Sequence, residues 1–109
     1  MNLFQRLQPL QRNFLAAALL LGSPWAAAQD PHLARNLAAT CANCHGTNGN
    51  ASGDMKSLAG VSAAKITAAL ADYRSGALSA TIMHQIAKGY TEEQIRLVAA
   101  YFAAQPSRK

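Results

Sequence analysis

The chain has 109 residues, enough for one small domain and not for several. Ten Lys and Arg against five Asp and Glu give it a net charge of +5, and half of its residues are hydrophobic. The basic residues are scattered and are not interleaved with aromatic ones, which argues against nucleic-acid binding.

The first 28 residues are organised like a secretory signal peptide. Arg6 and Arg12 form a basic region, residues 14–21 are an apolar run, and Ala26 and Ala28 fit a cleavage site of small residues. The apolar run is well short of the ~20 residues that a membrane-spanning helix needs, so an uncleaved anchor is the weaker alternative. We therefore predict a signal peptide over residues 1–28.

Cleavage near Ala28 predicts a mature domain over residues 29–109, exported to the periplasm without stable membrane insertion. Eight Lys and Arg then face five Asp and Glu, for a net charge of +3. This charge would suit docking to acidic redox partners and would equally well serve solubility. A domain of this size is marginal for an apolar core alone, so a further stabilising element is expected.

A first helix is predicted to begin at Asp30–His32, because Asp can cap a helix and Pro suits its first position. Leu33, Leu37 and Cys41 recur every four residues, as on one apolar helix face. This helix should deliver the cysteines that follow to their site. Small residues beside the apolar face would let another helix cross closely.

Residues 41–45 read Cys-Ala-Asn-Cys-His, the C-x-x-C-H pattern by which a c-type haem is attached. Two thiols at this spacing can reach the two vinyl groups on one porphyrin edge. The motif predicts one covalent haem c on Cys41 and Cys44, with His45 as an axial metal ligand. Such haem is attached outside the cytoplasm, in agreement with the signal peptide.

Three other interpretations of the cysteine pair are weaker. A disulfide between Cys41 and Cys44 would close a very small loop. A zinc site needs four ligands, and no second cysteine pair or paired histidines supply them. A thioredoxin-like redox pair is expected beside a βαβ unit, and no strand pattern surrounds this one.

The rest of the chain predicts one long loop and three helices. Residues 46–60 are rich in Gly, Asn, Ser and Asp, which indicates a loop. Ser62 is a plausible cap for a helix ending at Gly76, and a short helix covers Thr81–Lys88. The predicted bounds of the last helix are a capping box at Thr91–Gln94 and a stop at Gln105–Pro106, with Ile95, Val98 and Phe102 on one face. No strand or internal repeat is evident, so the fold class is all-α.

A haem held by His45 has a second axial position. Met83 lies far enough along the chain to approach the opposite face, and a thioether suits an electron carrier because it favours reduced iron. Met55 is too near His45 to cross over easily. His84, less readily His32, and an open position remain alternatives.

With these residues in place, the mature chain resembles a class I cytochrome c throughout. Residues 37–49, 57–60 and 81–90 resemble, more specifically, the cytochrome subunit of flavocytochrome c sulfide dehydrogenase. The T-I-M-x-x-I-A-K-G-Y stretch is the most specific part. The resemblance implies three to five helices around one covalently bound haem, with Met83 as the second iron ligand.

The resemblance also implies that Leu97 and Tyr101 belong to a C-terminal helix that crosses the first helix. One departure concerns Lys56, which stands where the family usually has a proline whose carbonyl orients the proximal histidine. A carbonyl is present on any residue, so the hydrogen bond can survive. Many relatives carry two haem domains, whereas this chain has room for one.

The resemblance implies periplasmic electron transfer, with electrons accepted from a sulfide-oxidising flavoprotein subunit and passed to another carrier. The chain would be the non-catalytic subunit, because it has no flavin motif and no further thiols. The alternatives are a free-standing cytochrome c that donates to a terminal oxidase and, less favoured, a haem enzyme or ligand sensor with an open sixth position.

Overall fold

The computed structural model describes residues 30–108. The predicted signal peptide and its cleavage site lie outside the described residues. Within those residues the chain forms four α-helices and one short 3₁₀ helix, without a β-strand: α1 (Leu33–His45), the 3₁₀ helix (Thr47–Gly49), α2 (Ala63–Ser75), α3 (Met83–Lys88) and α4 (Glu92–Ala103). The predicted all-α fold is confirmed.

Helix α1 begins at Leu33, slightly later than predicted. The Asp30 carboxylate accepts from the His32 N–H at 2.8 Å, and the Asp30 carbonyl accepts from the Leu33 N–H at 3.0 Å. Asp30 and Pro31 therefore form a turn that leads into the helix. The predicted Asp cap is displaced because its carboxylate binds an N–H just before the helix.

The other helix ends follow the sequence signals closely. The Ser62 hydroxyl accepts from the Lys65 N–H at 3.3 Å, and Gly76 ends α2 in the left-handed conformation. Thr91 and Gln94 form the predicted capping box of α4. Helix α3 begins two residues after the predicted start, and α4 ends at its final alanine, two residues before the predicted stop.

The core lies where α1 crosses α4 and α2 packs against α4. Ala38 and Ala99 are both buried there, and their small side chains let the helices approach closely. Phe102 is the one large side chain in residues 30–108 that is less than 2% exposed. A core with so little large apolar volume leaves the domain dependent on additional stabilisation.

The predicted crossing of the first and last helices is confirmed. Tyr101 packs against the core, and its ring meets that of Phe102 edge to face at 5.4 Å. Leu97 is half-buried. None of the helices between residues 30 and 108 has the length and apolar character required to cross a bilayer.

Candidate haem site

The end of α1 carries three of the four predicted site residues. Cys41 is partly buried and packs against the core, Cys44 is exposed, and His45 is the last helical residue. Both thiols are free. The helix therefore presents two unpaired sulfurs and one imidazole together.

The environment of Cys41 does not activate its thiol. Burial raises the pKa of Cys41, while hydrogen bonds from its own backbone and from the Tyr90 hydroxyl oppose the rise. Catalytic and redox-active cysteines instead have lowered pKa values, which produce thiolate at neutral pH. The raised pKa therefore counts against the thioredoxin-like interpretation.

His45 is oriented by the loop that follows it. Its Nδ1 lies 2.6 Å from the Lys56 carbonyl oxygen. A carbonyl can only accept, so Nδ1 carries a proton, and Nε2 is the nitrogen that the neutral ring offers as a ligand. This is the second partner that a metal-binding histidine normally has. The hydrogen bond implied by the resemblance is present although Lys56 replaces proline.

The loop reaches His45 because Gly49 closes it tightly. Gly49 has φ +78°, and its carbonyl accepts from the N–H groups of Leu58 at 2.8 Å and Ala59 at 3.0 Å. A Cβ on Gly49 would lie 2.7 Å from both the Ala59 nitrogen and a Phe102 ring carbon. Only glycine fits between the loop and the core, and this closure brings Lys56 to the histidine.

Two asparagines fix the loop in ways that sequence reasoning did not identify. Asn48 accepts from the Tyr101 hydroxyl at 2.7 Å and has φ +54°. Asn50 donates to the Pro106 carbonyl at 3.1 Å and accepts from the Arg108 N–H at 2.8 Å. The sequence signal for these positions was that asparagine favours turns and tolerates a positive φ. That signal predicts a turn but does not identify the hydrogen-bond partners.

Met83, the fourth predicted site residue, lies on a separate element. It is the half-buried first residue of α3, which packs against α2. A direct link to the other site residues comes through Tyr90, whose hydroxyl donates to the Leu37 carbonyl at 3.1 Å. Leu37 lies one turn before Cys41. The structure thus connects the segment that carries Met83 to the helix that carries the cysteines.

The other candidate ligands occupy different places. Met55 is 47% exposed and directly precedes Lys56, on the His45 side as predicted. His32 is exposed at the start of α1. His84 is half-buried beside a cavity of about 350 Å³ that Tyr73 and Lys88 also line. The His84 Nδ1 is buried without a hydrogen-bond partner among the described residues, so His84 is the strongest alternative to Met83.

The donor set fits a covalently attached haem. Two free thiols and a histidine with an available Nε2 are the groups that such a cofactor needs. Met55 and Ile82, which are next to Lys56 and Met83 in the chain, are exposed, so their apolar surface is available to a porphyrin. Within residues 30–108, no group of three or more His, Cys, Asp or Glu comes together to form another metal site.

Comparison with known proteins decides the family. The cytochrome c family model matches residues 33–105, from the start of α1 to just beyond α4. The chain belongs to the cytochrome c family. As a cytochrome c it transfers electrons and carries covalently bound haem c. Its four described helices are consistent with the class I fold.

Three proteins of known name are similar to this chain. The chain is 47% identical over 66 residues to the cytochrome subunit of sulfide dehydrogenase from Chlorobaculum tepidum, with 61% of this chain and 60% of that protein covered. It is 38% identical over 98 residues to a thiosulfate dehydrogenase electron acceptor from Stutzerimonas stutzeri, with 84% of this chain and 45% of that protein covered. It is 38% identical over 64 residues to cytochrome c-552 from Acidithiobacillus ferridurans, with 59% of this chain and 28% of that protein covered. The match thus covers less than two thirds of each relative's length.

Proposed function

We propose that the chain is a single-haem electron carrier of the periplasm. Residues 1–28 are its signal peptide, cleaved near Ala28, and residues 29–109 are its mature domain. Cys41 and Cys44 would attach the haem, and His45 and Met83 would ligate its iron. The haem, when bound, supplies a one-electron couple between ferric and ferrous iron.

The hydrogen bond from His45 Nδ1 to the Lys56 carbonyl is the observation that carries this proposal. It commits Nδ1 to the carbonyl and orients the ring, so that Nε2 is the nitrogen available to a metal. Because His45 directly follows Cys44, attachment of the haem at the cysteines would place the iron next to that nitrogen. The loop around Lys56 then has a chemical role, which is to orient the proximal ligand.

Met83 is the preferred sixth ligand for two reasons. It stands in the T-I-M-x-x-I-A-K-G-Y stretch whose methionine ligates iron in the resembled family. A thioether also stabilises ferrous iron and raises the reduction potential, which suits an acceptor of electrons. A histidine in this position, such as His84, would give a lower potential.

The electrons would come from a flavoprotein subunit that oxidises sulfide. The similarity to the cytochrome subunit of the Chlorobaculum tepidum enzyme supports this source. The chain would accept one electron at a time and pass it to another periplasmic carrier. Its own residues attach the haem, orient it and present it to redox partners, whereas sulfide oxidation belongs to the partner.

A stopped-flow experiment tests this assignment. Ferric holoprotein is mixed with sulfide and the flavoprotein subunit of the Chlorobaculum tepidum sulfide dehydrogenase, and haem reduction is followed by absorbance. We expect fast reduction that depends on the flavoprotein concentration, with only slow reduction by sulfide alone. Equal rates with and without the flavoprotein would contradict the proposed donor.

A free-standing carrier is the second candidate, and the similarity to a thiosulfate dehydrogenase electron acceptor supports it, because that name describes a protein that accepts electrons from a dehydrogenase. Such a carrier would donate to a terminal oxidase and would form no lasting complex with a flavoprotein. Gel filtration of the holoprotein with the flavoprotein subunit separates the two functions. Co-elution favours the subunit, whereas separate elution together with oxidation by a terminal oxidase favours the free carrier.

A further inference from the structure

The segment that carries Met83 is held by hydrogen bonds on the C-terminal side of the methionine. Arg74, in the last turn of α2, donates through one guanidinium nitrogen to the Ala87 carbonyl at 3.3 Å and to the Tyr90 carbonyl. Ala87 is fully buried. One arginine therefore holds both the last turn of α3 and the residues just beyond it.

Tyr90 links the same segment to α1, the helix that carries the cysteines. Its hydroxyl donates to the Leu37 carbonyl at 3.1 Å, one helical turn before Cys41. Arg74 and Tyr90 together thus connect α2, the end of α3 and the cysteine-bearing part of α1.

The chain ahead of Met83 has much weaker attachments. In residues 77–82, the Leu78 N–H donates to the Asp72 carbonyl at 3.2 Å and the Ala77 N–H to the Ser75 hydroxyl at 3.3 Å. Leu78 and Ile82 are exposed. Helix α3 has six residues and is too short to be stable without tertiary contacts. Its position must therefore depend on tertiary contacts, which are its packing against α2 and the hydrogen bonds at its C-terminal end.

We propose that Arg74 and Tyr90 are positioning residues that hold Met83 at the sixth coordination position of the haem iron. This inference rests on the proposed ligation by Met83. Loss of either contact lets α3 move relative to α1, so that the thioether leaves the iron more often. The apparent affinity of an external ligand rises with the fraction of molecules whose sixth position is free.

Imidazole titration of the ferric holoprotein measures that fraction. In Tyr90→Phe, one hydroxyl is removed and the ring stays, and we expect imidazole to bind roughly three- to tenfold more tightly, as loss of one hydrogen bond implies. Tyr101→Phe is the matched control. It removes a hydroxyl that donates to Asn48 at 2.7 Å, on the His45 side. Its imidazole affinity should equal that of the parent, even where its thermal stability falls.

Arg74→Lys provides an independent variant of the same contact. Lysine keeps the charge, but its flexible ammonium lacks the fixed donor geometry of the terminal guanidinium nitrogen that donates to both carbonyls. We expect tighter imidazole binding and a lower reduction potential. Arg96→Lys is the control, because Arg96 is exposed and pairs with Glu93 on α4. It should leave both quantities unchanged.

Met83→Ala separates failure of this inference from failure of the proposed ligation. If Met83→Ala binds imidazole no more tightly than the parent, Met83 is not the ligand and both proposals fall. If Met83→Ala binds more tightly while Tyr90→Phe and Arg74→Lys behave like their controls, the ligation stands and the positioning role is overturned. Tighter binding in all three variants supports the inference.

Discussion

The loop beside His45 and the segment that carries Met83 are held in contrasting ways. The loop of residues 46–60 is held at several points: by the Gly49 carbonyl, by Asn48 and Asn50, and by the hydrogen bond that His45 donates to the Lys56 carbonyl. The segment of residues 77–90 has few hydrogen bonds ahead of Met83 and is anchored behind it.

The two proposed ligands are therefore positioned in different ways. His45 follows a covalent attachment point directly, and the loop only has to orient its ring. Met83 has no covalent neighbour at the haem, so its approach depends on tertiary contacts of a short helix. Changes on the His45 side should therefore alter folding and stability, whereas changes on the Met83 side should alter ligation and reduction potential.

The largest expected effect comes from removing the attachment itself. In the double variant Cys41→Ala/Cys44→Ala we expect no covalent haem and no cooperative thermal unfolding, because the protein core is too small to stabilise the domain alone. Acid–acetone extraction and circular dichroism measure the two effects. The parent protein, as control, should retain its haem through extraction. Free extraction of haem from the parent would refute covalent attachment.

Gly49→Ala should damage the point where the loop closes on the core. The new Cβ meets the Ala59 backbone and Phe102, and the residue must also keep a positive φ. Left-handed strain of ~1–2 kcal/mol and overpacking of ~1–3 kcal/mol predict a stability loss of about 2–5 kcal/mol. Denaturant unfolding of the holoprotein measures it.

Gly53→Ala is the control for that variant. Gly53 also has a positive φ of +62°, but a Cβ there would meet nothing within 4 Å. It should lose only the ~1–2 kcal/mol of left-handed strain. Equal losses in the two variants would show that the Gly49 contacts do not close the loop.

Lys56→Pro should have the smallest effect. The carbonyl that accepts from His45 is kept, and the Lys56 N–H donates no hydrogen bond within the described residues. Proline restricts the conformations of the unfolded chain, so the free energy of unfolding should rise by about 0.4–1 kcal/mol. Denaturant unfolding measures this change. Lys56→Ala controls for loss of the charge. A large destabilisation by proline would mean that the backbone at this position is incompatible with it.

The sequence predicted helix ends and the core face better than it predicted the loop. Ser62, Gly76 and Thr91 form hydrogen bonds with residues a few positions away, so a short stretch of sequence is enough to predict these helix ends. The hydrogen bonds that Tyr101 donates to Asn48 and that the Arg108 N–H donates to Asn50 join residues more than 50 positions apart, and no local pattern encodes them.

The site divides along the same line. The C-x-x-C-H motif is contiguous, so the sequence alone placed its three residues together, and the resemblance anticipated the Lys56 carbonyl. Met83 came from a motif and a resemblance, without any account of what positions it. The contacts of Arg74 and Tyr90 depend on how α1, α2 and α3 meet, and only the folded chain reveals them.

The near-infrared absorption spectrum of the ferric holoprotein tests the central claim most directly. Thioether ligation gives a weak sulfur-to-iron charge-transfer band, which should be present in the parent, absent in Met83→Ala and retained in Met55→Ala and His84→Ala. The reduction potential of Met83→Ala should also fall, because the thioether no longer favours ferrous iron. A parent without the band, together with a sixth position that opens to carbon monoxide in ferrous His84→Ala and stays closed in Met83→Ala, would show bis-histidine ligation and contradict the account.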